Sequence, residues 1–216
     1  MTTQLKLSLG LAGAFALVVA VLLTLTAMSG DDADAGGDVS SRLVRDDSHV
    51  LGAEGDTGVT LVEFLDFECA ACRSVHPAVE LLREDYEGRV TFVVRYFPMP
   101  GHVNGERAAR AVEAAAQQGR FEEMYDRMFE TQAEWGGQQT PHDALFRSYA
   151  EDLGLDMERF DADYADRATT TRIAKDIADG TALDVEGTPT FFVDGERLQP
   201  RTYDDLTEAL DAALAD

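Results

Sequence analysis

Cysteine is nearly absent from this chain. Its 216 residues include two cysteines, Cys69 and Cys72, at the end of the apolar stretch LVEFLDFECAAC. A structural zinc site needs four ligands, and the sequence has no second Cys-x-x-Cys pair. A structural disulfide between residues this close would constrain the unfolded chain only slightly. Zinc and a structural disulfide stay open as alternatives, but the pair fits best with the exchange of electrons.

Basic residues are also scarce. Lysine and arginine together number 18 against 41 aspartates and glutamates, so the formal net charge is −23. A surface this acidic repels phosphate groups, which argues against nucleic acid as a partner. We interpret the excess of acid as a means of keeping the protein soluble.

Charged residues are missing altogether from residues 7–28. About 20 apolar residues are enough to cross the core of a bilayer, so this segment predicts a single transmembrane helix. Lys6 precedes it and Asp31 and Asp32 follow it, which predicts that the rest of the chain lies on the extracytoplasmic side of the cell membrane. A cleaved signal is the alternative, because residues 27–29 are small enough for a peptidase.

Composition divides the chain into six expected segments. A cytoplasmic N-terminus and the membrane anchor are followed by an acidic linker rich in Asp, Gly and Ser, which predicts a flexible tether. An α/β domain then follows in two parts, with a helical insertion between them. The six segments, in chain order, are 1–6, 7–28, 29–57, 58–101, 102–184 and 185–216.

Hydrophobic patterns predict the elements of the α/β domain and its insertion. Two apolar runs flank a helix that starts at the cysteine pair, which predicts a parallel crossover. Asp194-Gly195 predicts a tight hairpin, so the expected sheet is mixed, with helices on both faces. The predicted strands are 59–67, 90–97, 190–193 and 196–198, and the predicted helices are 69–86, 104–118, 121–132, 141–153, one or two within 157–183, and 203–214.

Cys69 lies where the first of these strands ends and the helix begins. The first turn of a helix has unpaired N–H groups and a partial positive charge, and both stabilise a thiolate. Cys72 lies one turn further along the same side of the helix and is better shielded from solvent. We therefore expect Cys69 to be the sulfur that attacks or is attacked, and Cys72 to be the resolving sulfur.

From residue 48 to residue 214 the chain resembles the DsbA-like branch of the thioredoxin fold. Besides the cysteine pair, the resemblance rests on Pro77, on the stretch GTPTFFVDG (187–195), and on GRFEEMYDRMFETQ (119–132), which is similar to the helical insertion of this branch. It implies a thioredoxin fold with an inserted helical domain. It also implies that Pro189 is preceded by a cis peptide bond and faces the cysteine pair.

The resemblance also implies roles for Glu63 and Thr188. Thioredoxin-like proteins have an acidic residue at the position of Glu63, buried beneath the pair, where it would carry protons for Cys72. The alternative is a half-exposed Glu63 that simply meets water. We expect the backbone of Thr188 to pair with a bound substrate and its hydroxyl to reach a sulfur; the alternative is that Thr188 serves only the turn. The dipeptide Ala70-Ala71 departs from the proline and histidine of the best-known oxidases, so we expect a weaker oxidant.

The expected function is that of an extracytoplasmic thiol–disulfide oxidoreductase that forms disulfides in exported proteins with free cysteines. The resemblance suggests a membrane partner of the DsbB or VKOR kind for reoxidation, and it implies no metal and no organic cofactor. Two alternatives stay open: a reductase or isomerase of the same fold, and a membrane-tethered binding module with a structural disulfide. Nothing in the sequence resembles a dimerisation domain, so we expect a monomer.

Other conspicuous residues are given no catalytic role. Asp66 and Glu68 are expected to be surface acids. His76 is expected to be a packed or half-exposed residue, and Trp135 a packing residue of the insertion. His102 is assigned no role.

Overall fold

The computed structural model describes residues 35–215 of a chain that divides into two compact units, Met1–Ser40 and Ser41–Asp216. The predicted cytoplasmic N-terminus and membrane anchor (1–28) lie outside the described residues. None of the helices described is both long enough and apolar enough to span a bilayer. The elements in chain order are α1 (Ala35–Leu43), β1 (His49–Leu51), β2 (Thr60–Leu65), α2 (Ala70–Asp85), β3 (Thr91–Tyr96), α3 (Gly105–Ala116), α4 (Phe121–Trp135), α5 (Asp143–Asp152), α6 (Met157–Ala165), α7 (Arg167–Ala182), β4 (Thr190–Val193), β5 (Glu196–Leu198) and α8 (Tyr203–Ala215).

The strands form one mixed sheet in the order β1-β3-β2-β4-β5. β2 and β3 are parallel, with Val62 opposite Val93, and the other neighbours are antiparallel. The three central strands are rich in β-branched and aromatic residues and are buried almost throughout, as expected for a sheet covered on both faces. Asp194 and Gly195 connect β4 to β5 with φ values of 48° and 92°, which is the left-handed conformation that this tight turn requires.

α2 follows β2 and carries the cysteine pair at its N-terminal end. Val79 and Leu82 face the core together with Cys72, so one side of the helix is anchored in the apolar interior. Pro77 lies inside the helix, at the position on which the resemblance partly rests. Because β2 and β3 are parallel and α2 connects them, the start of α2 lies at the edge of the sheet where both strands end.

Five helices, α3 to α7, are inserted between β3 and β4. α3 is central among them and contacts each of the other four. Its buried face contains small side chains such as Ala108 and Ala115, which allow neighbouring helices to approach closely. Toward the sheet, Phe67 packs against the rings of Tyr125 and Phe129 on α4, with centroid distances of 5.9 and 5.1 Å. Aromatic contacts therefore join the insertion to the residues around the cysteine pair.

α1 and β1 lie within residues 29–57, where the sequence predicts a flexible linker. β1 pairs with β3, and Leu51 is buried in the core. The buried guanidinium of Arg95 donates hydrogen bonds to the carbonyl oxygens of Arg42 and Leu43. The linker prediction is therefore wrong for these two elements, because partners distant in sequence stabilise a stretch whose own composition favours flexibility. The other segment boundaries stay predictions.

Candidate active site

Cys69 is the residue immediately before α2 and forms its N-cap. Its backbone is extended, with φ −72° and ψ 120°, and its N–H donates a hydrogen bond of 3.0 Å to the carbonyl oxygen of Asp66. The side chain of Cys69 is partly exposed, whereas Cys72 is 1% exposed, and both are free thiols. The pair therefore combines one accessible sulfur with one shielded sulfur.

The surroundings of Cys69 lower the pKa of its thiol from the ordinary 9.0 to about 5. The largest cause is a hydrogen bond with the Cys72 side chain, and burial opposes it. The side chain of Thr188 and the N–H groups of Ala71 and Cys72 lower the pKa further. Those N–H groups belong to the first turn of α2, where they have no acceptor within the helix. Cys69 is therefore a thiolate at neutral pH.

Cys72 has the opposite environment. Burial is the main reason why the pKa of its thiol lies far above the ordinary value, and the hydrogen bond with Cys69 and the charge of Glu63 raise it further. Only the backbone of Asp66 opposes this shift among the main causes. At neutral pH Cys72 therefore keeps its proton and can donate it in a hydrogen bond to the neighbouring thiolate.

The peptide bond between Thr188 and Pro189 is cis, and Thr188 contacts the accessible sulfur. The Sγ of Cys69 donates a hydrogen bond of 3.2 Å to the carbonyl oxygen of Thr188. Within the described part of the chain, the Thr188 hydroxyl is buried and has no hydrogen-bond partner. It is therefore free to donate to Cys69 once that thiol has lost its proton, which agrees with the direction of the pKa shift.

An open groove of about 640 Å³ lies beside the cis peptide bond. Its lining is equally polar and apolar and includes Ala71, Val75, Thr188, Pro189, Phe191, Arg197, Leu198, Gln199 and Arg201. The groove reaches the first turn of α2 on one side and the edge strand β5 on the other. The lining residue Thr188 links the groove to the redox pair, because its carbonyl oxygen lies 3.2 Å from the Sγ of Cys69.

Glu63 lies in the middle of β2, between Val94 on β3 and Phe191 on β4, and is 3% exposed. Burial is the largest reason why its pKa is raised from 4.5 to about 8, and the charges of Cys69 and Glu80 add to it. The alternative in which Glu63 simply meets water is therefore wrong. At neutral pH the carboxyl group holds a proton beneath the cysteine pair.

Asp66 and Glu68 are buried, so the prediction that they are surface acids is wrong. Asp66 is 1% exposed, and its carboxylate accepts hydrogen bonds of 2.8 Å from the N–H groups of Glu68 and Met99. The carboxylate of Glu68 accepts from the N–H groups of Asn104, at 2.6 Å, and Gly137, at 3.1 Å. Backbone donors from the loop after β3 and from the insertion thus replace water around both acids.

Two further residues of this region have no role in the sequence analysis. Gln132 on α4 is buried, and its Nε2 donates to the carbonyl oxygens of Phe67, at 2.6 Å, and Cys69, at 2.9 Å. The Nδ1 of His102 is hydrogen-bonded to the carboxylate of Asp66. A signal for His102 exists, since the segments that follow two parallel strands meet at one edge of the sheet. The sequence carries no comparable signal for Gln132.

His76 and Trp135 pack as predicted. Trp135 is fully buried, and its Nε1 donates a hydrogen bond of 3.3 Å to the Thr131 hydroxyl. The ring of His76 lies 4.9 Å from that of Phe129, between centroids, and its Nε2 is 3.2 Å from the Asp126 carboxylate. Both residues are accounted for by contacts within the folded chain.

In the part of the chain that the structure describes, one group of side chains has the chemistry of metal ligands. His76, Glu80 and Asp126 place their ligand atoms within 4.8 Å of one another. Arg83, however, already donates two hydrogen bonds, of 2.7 and 3.0 Å, to the Glu80 carboxylate. We interpret the group as an ion-pair network between α2 and α4.

The fold and the cysteine pair define a thioredoxin-fold protein with a Cys-x-x-Cys site and an inserted helical domain. The sequence model of the Thioredoxin family matches residues 45–212. A thioredoxin-like oxidoreductase from Silicibacter pomeroyi DSS-3 is 30% identical, with a TM-score of 0.68 over 82% of this chain and 98% of that chain. The chain belongs to the thioredoxin family.

More distant structures share the fold. BdbD from Bacillus subtilis, in its oxidised form, is 22% identical, with a TM-score of 0.70 over 78% of this chain and 94% of that chain. alpha-DsbA1 from Wolbachia pipientis is 18% identical, with a TM-score of 0.71 over 82% of this chain and 96% of that chain. At these identities the likeness concerns the fold alone.

Curated relatives match over a part of their own length. The Na(+)/H(+) antiporter NhaA 3 of Salinispora tropica is 42% identical over 172 residues, which are 79% of this chain and 25% of that protein. The Na(+)/H(+) antiporter NhaA of Herminiimonas arsenicoxydans is 41% identical over 74% of this chain and 24% of that protein. The chain thus spans about a quarter of the length of the curated relatives it matches.

Proposed function

We propose that the protein is an extracytoplasmic thiol–disulfide oxidoreductase that forms disulfides in exported proteins through Cys69 and Cys72. One observation carries the proposal: an accessible thiol with a pKa of about 5 lies at a helix N-terminus, directly beside a buried thiol whose pKa is raised. A structural disulfide needs no such asymmetry, whereas exchange needs one sulfur that reacts with foreign thiols and one that resolves the intermediate.

The proposed reaction starts from the Cys69–Cys72 disulfide. A substrate thiolate attacks the Sγ of Cys69, a mixed disulfide forms, and Cys72 leaves as a thiolate that takes up a proton. The second substrate thiolate then attacks the substrate sulfur of the mixed disulfide, and Cys69 leaves as a thiolate. The substrate loses two electrons and gains a disulfide, while the protein ends with both cysteines reduced. The low pKa of Cys69 makes it a good leaving group.

Glu63 is the proposed proton carrier for Cys72. With a pKa of about 8 its carboxyl group is protonated at pH 7, and it lies close enough to Cys72 to affect the pKa of that thiol. A proton passes readily from Glu63 to a departing Cys72 thiolate, because the thiol has much the higher pKa. We expect Glu63→Gln to slow exchange while the protein stays folded. Unchanged exchange rates across neutral pH would remove Glu63 from the mechanism.

Oxidation of substrates is the proposed direction. A redox cysteine with a pKa of about 5 lies between thioredoxin, at about 7, and the strongest oxidases, at about 3.5. A stable thiolate favours the reduced protein and so makes the disulfide an oxidant, but Ala70-Ala71 adds no cation or side-chain donor. We expect a reduction potential of about −120 to −180 mV, and a value near about −270 mV would favour the reductase alternative.

Membrane tethering through residues 7–28 and reoxidation by a membrane partner of the DsbB or VKOR kind belong to the same proposal. The uncharged run of residues and the acids after it support this location. Extraction of membranes at high pH tests it, since an uncleaved anchor stays in the membrane pellet. Recovery of the protein in the soluble fraction at its full length would contradict the anchor.

Trapping of substrates is the decisive experiment. In cells that make the Cys72→Ser variant, mixed disulfides with exported proteins should accumulate through Cys69, because the resolving sulfur is missing. The matched control is the Cys69→Ser variant, which keeps the buried thiol and should form no adducts. Absence of adducts in the Cys72→Ser strain would favour the binding-module alternative, in which the cysteines are only structural.

A further inference from the structure

The loop after β3 is attached to the residues just before Cys69 by one buried acid. The carboxylate of Asp66 accepts hydrogen bonds from the N–H of Met99, the N–H of Glu68 and the Nδ1–H of His102. The N–H of Cys69 in turn donates to the carbonyl oxygen of Asp66 at 3.0 Å. His102 is therefore connected to the backbone N–H of Cys69 through a single residue, Asp66.

The environment of His102 favours its cationic form. Partial burial by itself lowers the pKa of the imidazole, but the hydrogen bond to Asp66 and the charge of Asp66 outweigh burial and raise it. The charges of Glu68 and Cys69 also raise it, so the Cys69 thiolate acts directly on this ring. The side chain is 33% exposed, and its Nε2 has no hydrogen-bond partner among the described residues. Its proton can therefore exchange with solvent.

The redox pair itself lacks a cation. Ala70 and Ala71 carry no charge, and the main influences on the pKa of Cys69 are hydrogen bonds and burial, with no arginine, lysine or histidine among them. In the folded protein, His102 brings positive charge to the same sheet edge from a loop 33 residues after Cys69 in the chain. Asp66, Glu68 and Cys69 are the titratable groups that act on this ring.

We infer that His102 is a positioning residue for the redox pair: held by Asp66 as a cation, its imidazole stabilises the thiolate of Cys69. It thereby provides the electrostatic stabilisation that a positively charged residue between the two cysteines would otherwise provide. The inference rests on the proposed function, since it explains how the reactivity of that same thiol is set. Hydrogen bonds from Cys72 and Thr188 remain the larger influences on Cys69, so the effect of His102 is modest.

Thermodynamic linkage makes the inference testable in the unmodified protein. If the imidazolium stabilises the thiolate, the thiolate stabilises the imidazolium by the same free energy. Formation of the Cys69–Cys72 disulfide removes the thiolate charge. The pKa of His102 must therefore be higher in the reduced protein than in the oxidised protein, while a His102 that only anchors the loop would titrate alike in both.

The first experiment is an NMR titration of the His102 ring protons in the reduced and the oxidised protein. A higher pKa in the reduced form is expected. Identical titration curves in the two forms would overturn the inference, and this measurement needs no variant that might fail to fold. His49 serves as the internal control, because its ring is hydrogen-bonded to Glu113 on α3 and not to the segment from Asp66 to Cys72.

The second experiment follows alkylation of Cys69 against pH in His102 variants. His102→Asn keeps a donor for Asp66 but loses the charge, and we expect the alkylation rate at pH 5 to fall about threefold, as a rise of roughly 0.7 in pKa predicts. His102→Arg keeps the charge and should keep the wild-type rate. A wild-type profile for His102→Asn would contradict the inference.

The two proposals fail separately. Successful trapping of substrates with no coupling between His102 and Cys69 refutes the role of His102 and leaves the oxidoreductase intact. Coupling without any trapped substrate refutes the oxidoreductase but supports the electrostatic role of His102.

Discussion

Glu63 has the most unusual environment among the residues of the site. It occupies a central strand position with apolar neighbours on both sides, and burial keeps its carboxyl group protonated up to about pH 8. Burial therefore destabilises the ionised carboxylate of Glu63 relative to its protonated form. This is the arrangement expected of a residue that serves chemistry and not packing.

The unfolding free energy should therefore depend on pH through Glu63. The pKa of Glu63 in the folded protein, about 8, lies above the ordinary 4.5, so the folded state binds more protons than the unfolded state between these two values. Its contribution to stability is complete below pH 4.5 and is lost as the pH rises through about 8. The glutamine of the Glu63→Gln variant stays neutral throughout, so relative to the wild type the variant should gain about 4 kcal/mol of unfolding free energy between pH 4.5 and 8.5.

Urea unfolding of the reduced proteins at both pH values measures this gain. Glu54→Gln is the matched control, since Glu54 is an exposed acid in the same unit of the chain. Cys69 titrates in the same range with the opposite sign and is present in both proteins, so only its coupling to Glu63 enters the comparison. A constant difference between wild type and Glu63→Gln at the two pH values would contradict the assigned environment.

At the scale of elements, the insertion holds the start of α2 in place. The segment from Asp66 to Cys69 leaves the sheet before the helix begins, so the carbonyl oxygen of Phe67 and the carboxylates of Asp66 and Glu68 depend on donors outside these two elements. α4 supplies the side chain of Gln132, and the loop after β3 supplies the backbone N–H of Asn104. Gly137, which follows α4 and its C-cap residue, supplies its own backbone N–H. The helical insertion is therefore part of the active site and not an appendage.

Gln132 provides the prediction at this scale. Gln132→Ala removes the donor shared by the carbonyl oxygens of Phe67 and Cys69; the Cys69 oxygen keeps the N–H of Arg73, but the buried Phe67 oxygen loses its donor, which is costly. We expect a loss of about 1–3 kcal/mol in unfolding free energy and faster alkylation of the second sulfur, Cys72, as the segment loosens.

The control for this variant is Gln139→Ala. Gln139 is exposed, and exposed substitutions of this kind usually change stability by less than about 0.5 kcal/mol. Chemical denaturation of both variants measures the two unfolding free energies. Equal stability of Gln132→Ala and Gln139→Ala would mean that the two carbonyl oxygens find water or another donor instead.

At the scale of the whole molecule, the large net negative charge determines how stability responds to salt. A net charge of −23 on 216 residues creates repulsion between acids on the surface, while the charges of the interior are paired. Arg95, for example, is fully buried and donates to the carboxylates of Asp176 and Asp179 at 2.8 and 2.6 Å. Salt screens exposed charges strongly and buried pairs weakly. Surface repulsion is therefore the part of the electrostatics that salt changes.

We expect the melting temperature to rise with salt. Exposed ion pairs such as Arg147–Asp161 contribute little to stability, so the loss of attraction on screening is smaller than the relief of general repulsion. Raising NaCl from about 0.01 to 0.5 M should increase the melting temperature by about 2–5 °C. The experiment is thermal unfolding followed by circular dichroism.

Potassium chloride at the same ionic strength is the control, because screening does not depend on the identity of the cation. A rise with only one of the two salts would indicate specific binding. A melting temperature that falls with both salts would contradict the dominance of surface repulsion.

How far the sequence predicts the molecule depends on the range of the interactions involved. The hairpin at 194–195 and the helix that starts after Cys69 follow from neighbouring residues, and both are present. The helical stretch at 157–183 was predicted as one or two helices, and the structure has two, with Asp166 as the boundary and its carboxylate capping the second. β1 was missed because its stability comes from β3, not from its three residues.

The sequence by itself determined that two cysteines stand at a strand–helix junction and that an acid precedes them by six residues, because both are relations along the chain, whereas the cis bond before Pro189 was implied only by the family resemblance. Only the tertiary structure decided which acids are buried and what holds them. His102 lies 36 residues from Asp66, and Gln132 lies 65 residues from Phe67. Contacts at such separations depend on how whole elements pack, and local sequence patterns carry little information about that.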